Sequence, residues 1–414
     1  MSSSSRERMT VRRAARATAV LLGLASAAAG AQQVVFIPEL QAWAQYDTNR
    51  LLNPVNAESA ETYWVQAAAD MKRVTQRSDL EFRPQLTLQD SSISSVNRWE
   101  ALVDLKGDYR TLRSIWSIMA EYHREDSYNA QYGVAGFNPL NPGQPDTQGT
   151  GTIVTGLTKD TYSLAPGVTF QATERLSFEA EARADAVRYS VEVPNEYVSY
   201  NSTLAEVDAY WSLSQRSQLG FGPFYQLYDP EQSNAAPRVN GYGLDLSYRF
   251  NWSRLDRSTL SLRAEHDTFT ETGTPDKTKN TYGIEWVGRH KLQTGMIQYA
   301  IGRFLEPSSV GSLVGLNQVR VQYRHDFSVR TQFVGMVRVS RSDDLSDNSH
   351  EDRALLQVAL VRRLTELWSI SGGYRFAYQK LSELEANQVV TQPAAHNNGV
   401  FINVAYRGRS PDED

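Results

Sequence analysis

Between residues 242 and 269 the chain reads YGLDLSYRFNWSRLDRSTLSLRAEHDTF. Tyr242, Leu244, Leu246, Tyr248, Phe250 and Trp252 take alternate places, with Gly243, Asp245, Ser247, Arg249 and Asn251 between them. After a break at 254–257 the rhythm returns: Leu260, Leu262 and Ala264 against Ser261, Arg263, Glu265 and Asp267. A period of two sends neighbouring side chains to opposite faces of an extended strand. One face is oily and the other is wet. A soluble sandwich or β-helix needs an apolar interior and a polar exterior; a wall between lipid and water needs this double face on every strand.

The pattern recurs along nearly the whole chain. About eighteen such segments, of roughly 10–14 residues, run from 33–47 to 397–407, the length a tilted strand needs to cross a bilayer. Miscounting one hairpin would make the number sixteen. Short links such as TQRS, KGDYRT, SQR and LTE alternate with longer polar ones at 48–60, 91–97, 125–158, 191–199, 230–239, 271–279, 306–314, 342–351 and 380–396. Tight turns on one side and long loops on the other describe an up-and-down meander with two different environments at its ends. The predicted fold is therefore all-β: a transmembrane antiparallel up-and-down β-barrel with an even strand number and both termini on the short-turn side.

Aromatic placement agrees. Tyr63, Tyr162 and Tyr242 with Tyr282 open four strands running one way, and Tyr46, Tyr122 and Tyr378 close strands running the other. They predict a ring at the outer interface, with Trp211, Trp252, Trp368 and Tyr406 forming an inner one.

The amino-terminal segment is read differently. Arg12, Arg13 and Arg16 precede the apolar stretch ATAVLLGLASAAAG, and Ala29-Gly30-Ala31 gives a small-x-small cleavage pattern. Residues 1–31 are expected to be a signal peptide, with a start at Met1 or Met9; 32–408 to form the barrel; and 409–414 to be a charged tail. The net charge is −5, and these first residues are basic, so the barrel itself is acidic and no nucleic-acid partner is expected. No interior apolar run is long enough for a helical span. With no cysteine, disulfides, thiolate metal sites and thiol nucleophiles are excluded.

Strand parity predicts an uneven lumen. Glu179, Glu181, Asp185, Glu206 and Asp208 point inward with Arg183 among them, forming an acidic wall. Arg320, Arg324, Arg338, Arg363 and Arg375 point inward with Gln322, Gln357 and Ser371, forming a basic wall with no acid between. The two walls lie about eight strands apart, nearly opposite in a barrel of about eighteen. Such a transverse field orients charged solutes, and arginine rows suit carboxylates; pairing that merely solvates the interior is the alternative.

Catalysis finds no constellation. His266 and Asp267 are adjacent and so face opposite ways, and Ser247 and Ser261 have no histidine of the same parity nearby. The acidic stretch DDLSDNSHED (343–352) lacks the ordered spacing and glycine of a calcium loop. The expectation is a non-enzymatic protein with no metal and no cofactor. Segment 125–158 is long enough either to fold into the pore or to remain a surface excursion.

Three stretches carry a family likeness. QYDTNRLL (45–52) resembles a Tyr-Asp-x-Asn close to a first strand, LTELWSISGGYRFAYQKL (364–381) a Trp-x-hydrophobic-x-Gly-Gly-Tyr-Arg strand, and AHNNGVFINVAYRG (395–408) a final strand. Together they are similar to the β-barrel porin 2 group of outer-membrane proteins, often linked to exopolysaccharide systems of Gram-negative bacteria. The chain departs from that pattern at Thr48, where a second Asp is common, and in its charged RGRSPDED end, which leaves Tyr406 as the terminal aromatic. The resemblance implies an outer-membrane channel for polysaccharide or another polar or anionic solute. A general diffusion porin and a non-conducting docking barrel remain as alternatives. Implied partners are outer-membrane lipid and lipopolysaccharide, the outer-membrane insertion machinery, polysaccharide and periplasmic export components.

Overall fold

The computed structural model describes residues 34–93, 98–126, 157–190, 198–231, 237–253, 255–271, 273–307, 313–344, 349–385, 388–391 and 393–409. The expected signal peptide, most of segment 125–158 and most of the tail lie outside these residues. Within them the chain forms β1 (Val34–Asp47), β2 (Ala60–Val74), β3 (Ser78–Ser91), β4 (Arg98–Arg110), β5 (Ser114–Asp126), β6 (Thr158–Gln171), β7 (Leu176–Tyr189), β8 (Tyr200–Ser212) and β9 (Ser217–Pro230). Then follow β10 (Arg238–Asn251), β11 (Arg257–Thr270), β12 (Lys277–Leu292), β13 (Gly295–Pro307), β14 (Leu313–Asp326), β15 (Thr331–Asp344), β16 (His350–Arg363), β17 (Trp368–Glu385), β18 (Gln388–Thr391) and β19 (Ala395–Arg407).

Neighbours in sequence pair antiparallel, β17 pairs directly with β19, and β1 pairs with β19 from Glu39↔Arg407 to Asp47↔Gly399. The sheet is thereby a closed barrel of eighteen staves, with no open edge to expose backbone polar groups. The four-residue β18 adds only to the far end of β17, through Ser382↔Thr391 and Glu385↔Gln388.

Register keeps the two faces apart. In the β10–β11 hairpin Leu244↔Ala264 and Leu246↔Leu262 share one face, and Asp245↔Arg263 and Ser247↔Ser261 the other. The apolar set is exposed on the outside: Leu244, Leu246 and Leu262, like Val65, Leu164, Ile284, Val337, Leu360 and Ile402 around the circumference, leave two-fifths or more of their surface uncovered. A water-soluble surface does not carry an apolar band of this extent; hydrocarbon covers it. Tyr63, Tyr162, Tyr242 and Tyr282 stand exposed at the long-connection end, and Trp211, Trp252 and Trp368 at the other, where Trp368 packs on Tyr406 with centroids 5.3 Å apart. From Tyr242 to Trp252 the strand advances roughly 33 Å, or about 25 Å along the barrel axis at the usual tilt, which matches the apolar band of an outer-membrane barrel. Short turns on the side of both strand termini, long connections opposite, two aromatic girdles and a closed antiparallel wall together give the protein the build of an outer-membrane barrel.

One seam departs from this regularity. The β12–β13 pairing ends at Ile284↔Arg303, although β12 begins at Lys277 and β13 continues to Pro307. The end of β13 stays paired with β14, through Glu306↔Val314. Strand alternation would send Leu305 outward; instead it packs against the buried cluster of Leu157, Val187, Tyr189, Tyr200, Tyr228 and Val239. The end of β13 therefore leans into the lumen and away from β12.

Candidate functional site

The lumen is where alternation puts chemistry, and all ten residues expected there face it. Glu179↔Asp208 and Glu181↔Glu206 are cross-strand pairs on the inward face of β7 and β8, with Asp185 further along β7. Arg320↔Arg338 oppose one another on β14 and β15, and Arg324, Arg363 and Arg375 share their parity on β14, β16 and β17. Like charges directly opposite are unfavourable unless a counter-charge or water intervenes.

The two walls differ in state. On the acidic side Glu181 and Arg183 are open to the lumen, Asp185 accepts from Arg183 Nε at 3.0 Å, and Glu206 meets Arg263 Nη2 at 3.3 Å. The basic wall, expected to have no local acids, finds some. Arg324 lies 3.5 Å from Asp326, and Arg375 lies 3.0 Å from Asp47 with both side chains sealed from solvent. The inward parity of Arg375 holds, but its guanidinium belongs to a packed cluster. Its partner is supplied by the first strand once the barrel closes, which strand-by-strand reading does not reveal.

That cluster unites the three stretches that carried the family likeness. Asp47, from QYDTNRLL, accepts from Arg375 Nη2 at 3.0 Å, Asn397 Nδ2 at 2.9 Å, Gln45 Nε2 at 2.8 Å and Arg50 Nη1 at 3.1 Å. Arg375 lies in SGGYRFAY and Asn397 in AHNNG. Asn397 Oδ1 also accepts from the Asn49 amide at 3.0 Å, and the Thr48 and Asn398 backbones are bonded across the same gap. Gly399 makes the approach possible, since a Cβ there would sit 2.5 Å from Asp47 Oδ1. Arg50 is fully buried over the Trp64 ring at 5.3 Å, and Leu52, held at φ 46°, packs into the inward cluster of Val334, Met336, Leu355 and Ala377. The connection after β1 is thus drawn into the mouth and tied to the last two long staves. A buried carboxylate with this many donors is well satisfied, and losing it would strand two arginines.

A second feature was not anticipated. A recess of about 310 Å³ opens on the lumenal side of β8 to β13, lined by Glu206, Asp208, Asp245, Glu265 and Glu285 with Arg249 and Arg263, and bounded by Phe304 and Leu305 at the parted seam. Arg263 bridges Glu206 and Asp245 (3.3 and 3.7 Å) and lies 4.1 Å over Phe224. These residues were visible to parity, but their convergence depends on the β12–β13 departure.

A third feature lies at the short-turn rim. Five turns share the form Ser/Thr-x-Arg. The hydroxyls of Thr75, Thr111, Thr173, Ser214 and Ser328 accept from the amides of Arg77, Arg113, Arg175, Arg216 and Arg330 at 3.1–3.3 Å. The carbonyls of the same five arginines each accept from the end of a neighbouring stave at 2.7–2.8 Å. The backbone is pinned on both sides, and all five arginine side chains are exposed. The motif was readable in the sequence once the turns were compared with one another.

His266 and Asp267 point to opposite faces as expected: the His266 ring packs at a tilt against Tyr242 outside, 5.4 Å between centroids, while Asp267 is buried inside. Among the described residues no group of three metal-ligating side chains converges. Part of the acidic stretch 343–352 lies outside the described residues.

No protein-family model matches this chain, so the likeness to the β-barrel porin 2 group rests on the three quoted motifs. No curated protein matches it either. Among solved structures the chain is similar to Acinetobacter baumannii OccAB3, at 10% identity and a TM-score of 0.45, over 91% of this chain and 99% of that one. It is similar to Pseudomonas aeruginosa OpdQ, at 9% identity and a TM-score of 0.46, over 91% and 99%. It is also similar to a bacterial polysaccharide outer membrane secretin, at 10% identity and a TM-score of 0.37, over 90% and 98%.

Proposed function

We propose that the protein is an outer-membrane channel that passes an anionic polysaccharide, or another polar anionic solute, entering from the short-turn side. The observation that carries this reading is the rim of five exposed arginines, each presented by a turn whose backbone is fixed. A ring of like charge at a pore mouth raises the local concentration of counter-charged solute and speeds its entry. Inside, charged groups of both signs on opposite walls keep a hydrated, polar path for a chain rich in hydroxyls and carboxylates. The motif likeness to exopolysaccharide-linked barrels points the same way.

In this reading the short-turn side is periplasmic, export components deliver the polymer there, lipopolysaccharide surrounds the long connections, and Tyr406 on β19 serves as the aromatic read by the insertion machinery. No catalytic step is part of it.

The test is conductance of the purified protein in planar bilayers. Dextran sulfate should block the open channel from the short-turn side at lower concentration than neutral dextran of equal size. Equal block by both polymers would favour a general diffusion porin. No conductance would favour a docking barrel.

A further inference from the structure

On the outward face near the long-connection end, several arginines carry a neutralising acid. Arg124 lies 3.4 Å from Asp160, Arg188 2.9 Å from Glu231, Arg238 3.9 Å from Asp229 and Arg341 3.2 Å from Asp343. Arg303 forms no ion pair among the described residues. It stands at the last pairing of the β12–β13 seam, opposite Ile284. Its guanidinium lies 5.3 Å from the centroid of the Tyr282 ring and donates to Asn317 Oδ1 through Nη1 at 3.4 Å, a long bond. Tyr282 and Ile284 are both exposed on the outside, so Arg303 faces out at the level of the aromatic girdle. Asn317 Nδ2 reaches Asp343 at 3.1 Å, but that carboxylate is already held by Arg341. Gly315 on β14 leaves room beside the guanidinium, since a Cβ there would lie 3.0 Å from Arg303 Nη2.

A cation turned toward lipid at the interface is satisfied by a headgroup anion, and a guanidinium stacked on a ring keeps its planar fork free for two phosphate oxygens. We propose that Arg303, backed by Tyr282 at the parted seam, holds a phosphate of lipid A, the lipid anchor of lipopolysaccharide. Directly below, Ile284, Ile301 and Val319 are exposed side by side and give the acyl chains an apolar bed. Above, β12 and β13 separate, so a disaccharide headgroup meets a notch in the wall where a continuous sheet would exclude it. His266 and Asn280, joined at 2.7 Å on the outward face one step above Tyr282, offer polar groups at the height of the sugars. A glycerophospholipid with its phosphate on Arg303 carries no sugar to reach them. The proposal rests on the long-connection end facing the outer leaflet, as in the channel reading, but not on conduction.

The test is native mass spectrometry of the detergent-solubilised full chain titrated with lipid A, with dephosphorylated lipid A and with phosphatidylglycerol. Lipid A should bind at least fivefold more tightly than either of the other two. Arg303→Gln should remove that preference, Arg303→Lys should restore part of it, and Arg341→Gln, at an arginine already paired with acids, should leave it within twofold of the parent. Equal binding of lipid A with and without its phosphates would overturn the assignment, as would an Arg303→Gln variant that binds like the parent. Phosphatidylglycerol bound as tightly as lipid A would overturn it in favour of a general anionic-lipid contact, and no binding of lipid A would overturn it outright. The comparison of lipids needs no variant, so a misfolded variant cannot hide the answer. Because bound lipid is read instead of current, failure here leaves the channel reading untouched, and failure of conductance leaves this one untouched.

Discussion

Asp47 on the first stave and Arg375 on the seventeenth meet at 3.0 Å, although 328 residues separate them in sequence and neither side chain reaches solvent. The contact exists only when β1 has closed onto β19. It reports on barrel closure more directly than any local hairpin.

Replacing Asp47 with Ala should therefore cost about 3–5 kcal/mol, the usual penalty for removing one partner of a buried pair. Urea unfolding followed by tryptophan fluorescence in detergent checks this. In the double variant with Arg375→Met the cost should be less than additive, because one of the two arginines that Asp47 holds is gone as well, while Arg50 remains. Full additivity would remove the proposed coupling.

The arginine rim gives a prediction about traffic without a change in fold. Changing Arg77, Arg113, Arg175, Arg216 and Arg330 together to Gln should raise the dextran sulfate concentration needed for half-block several-fold. It should also flatten the salt dependence of that block, since screening acts on exposed charge. The hydroxyl caps and the carbonyl bonds involve no arginine side chain, so the heat-modified gel shift of the barrel should not move. An unchanged block would take the rim out of the mechanism.

At the short-turn end of β10–β11 the Asp256 carboxyl is held below its ordinary range, first by the Ser253 hydroxyl (2.7 Å) and next by the Lys291 amide (2.8 Å), with His290 adding a smaller share at 2.9 Å. A carboxylate whose affinity for protons falls on folding stabilises the folded state above its unfolded value, near 3.9, and that contribution disappears as pH drops through the lower folded value. Asp256→Asn should thus lower the urea midpoint at pH 7 and make little difference near pH 2. A difference of equal size at both values would contradict the assignment.

How much of this was legible follows from what alternation can and cannot encode. The dyad rhythm of lipid-facing and lumenal residues placed the staves closely. β9 was expected at 217–229 and runs from Ser217 to Pro230, and β16 was expected at 352–363 and runs from His350 to Arg363. β17 was expected to end at 379 but continues to Glu385, because Lys380, Leu381 and Ser382 still pair with β16 and Ser382 to Glu385 pair with β18, beyond the stretch that alternation marks. β12 likewise starts at Lys277, before the expected 280, where Lys277 and Lys279 have no apolar alternation to betray the strand. The register puts all ten wall residues on the inward face of their strands, since parity is a local property. Their partners were not legible. Arg375 needs Asp47 across the closing seam, and the recess needs β13 to leave β12, and both are long-range consequences of how the cylinder closes.

The account rests on which way each side chain of a stave points, and the cysteine-free chain makes that directly measurable. Single cysteines at Leu244, Asp245, Leu246, Tyr248 and Arg249, in protein reconstituted into liposomes, would be treated with a membrane-impermeant maleimide. The account predicts labelling at 245 and 249 and protection at 244, 246 and 248. Labelling at all five, or at the even positions alone, would contradict a barrel with lipid outside and water within.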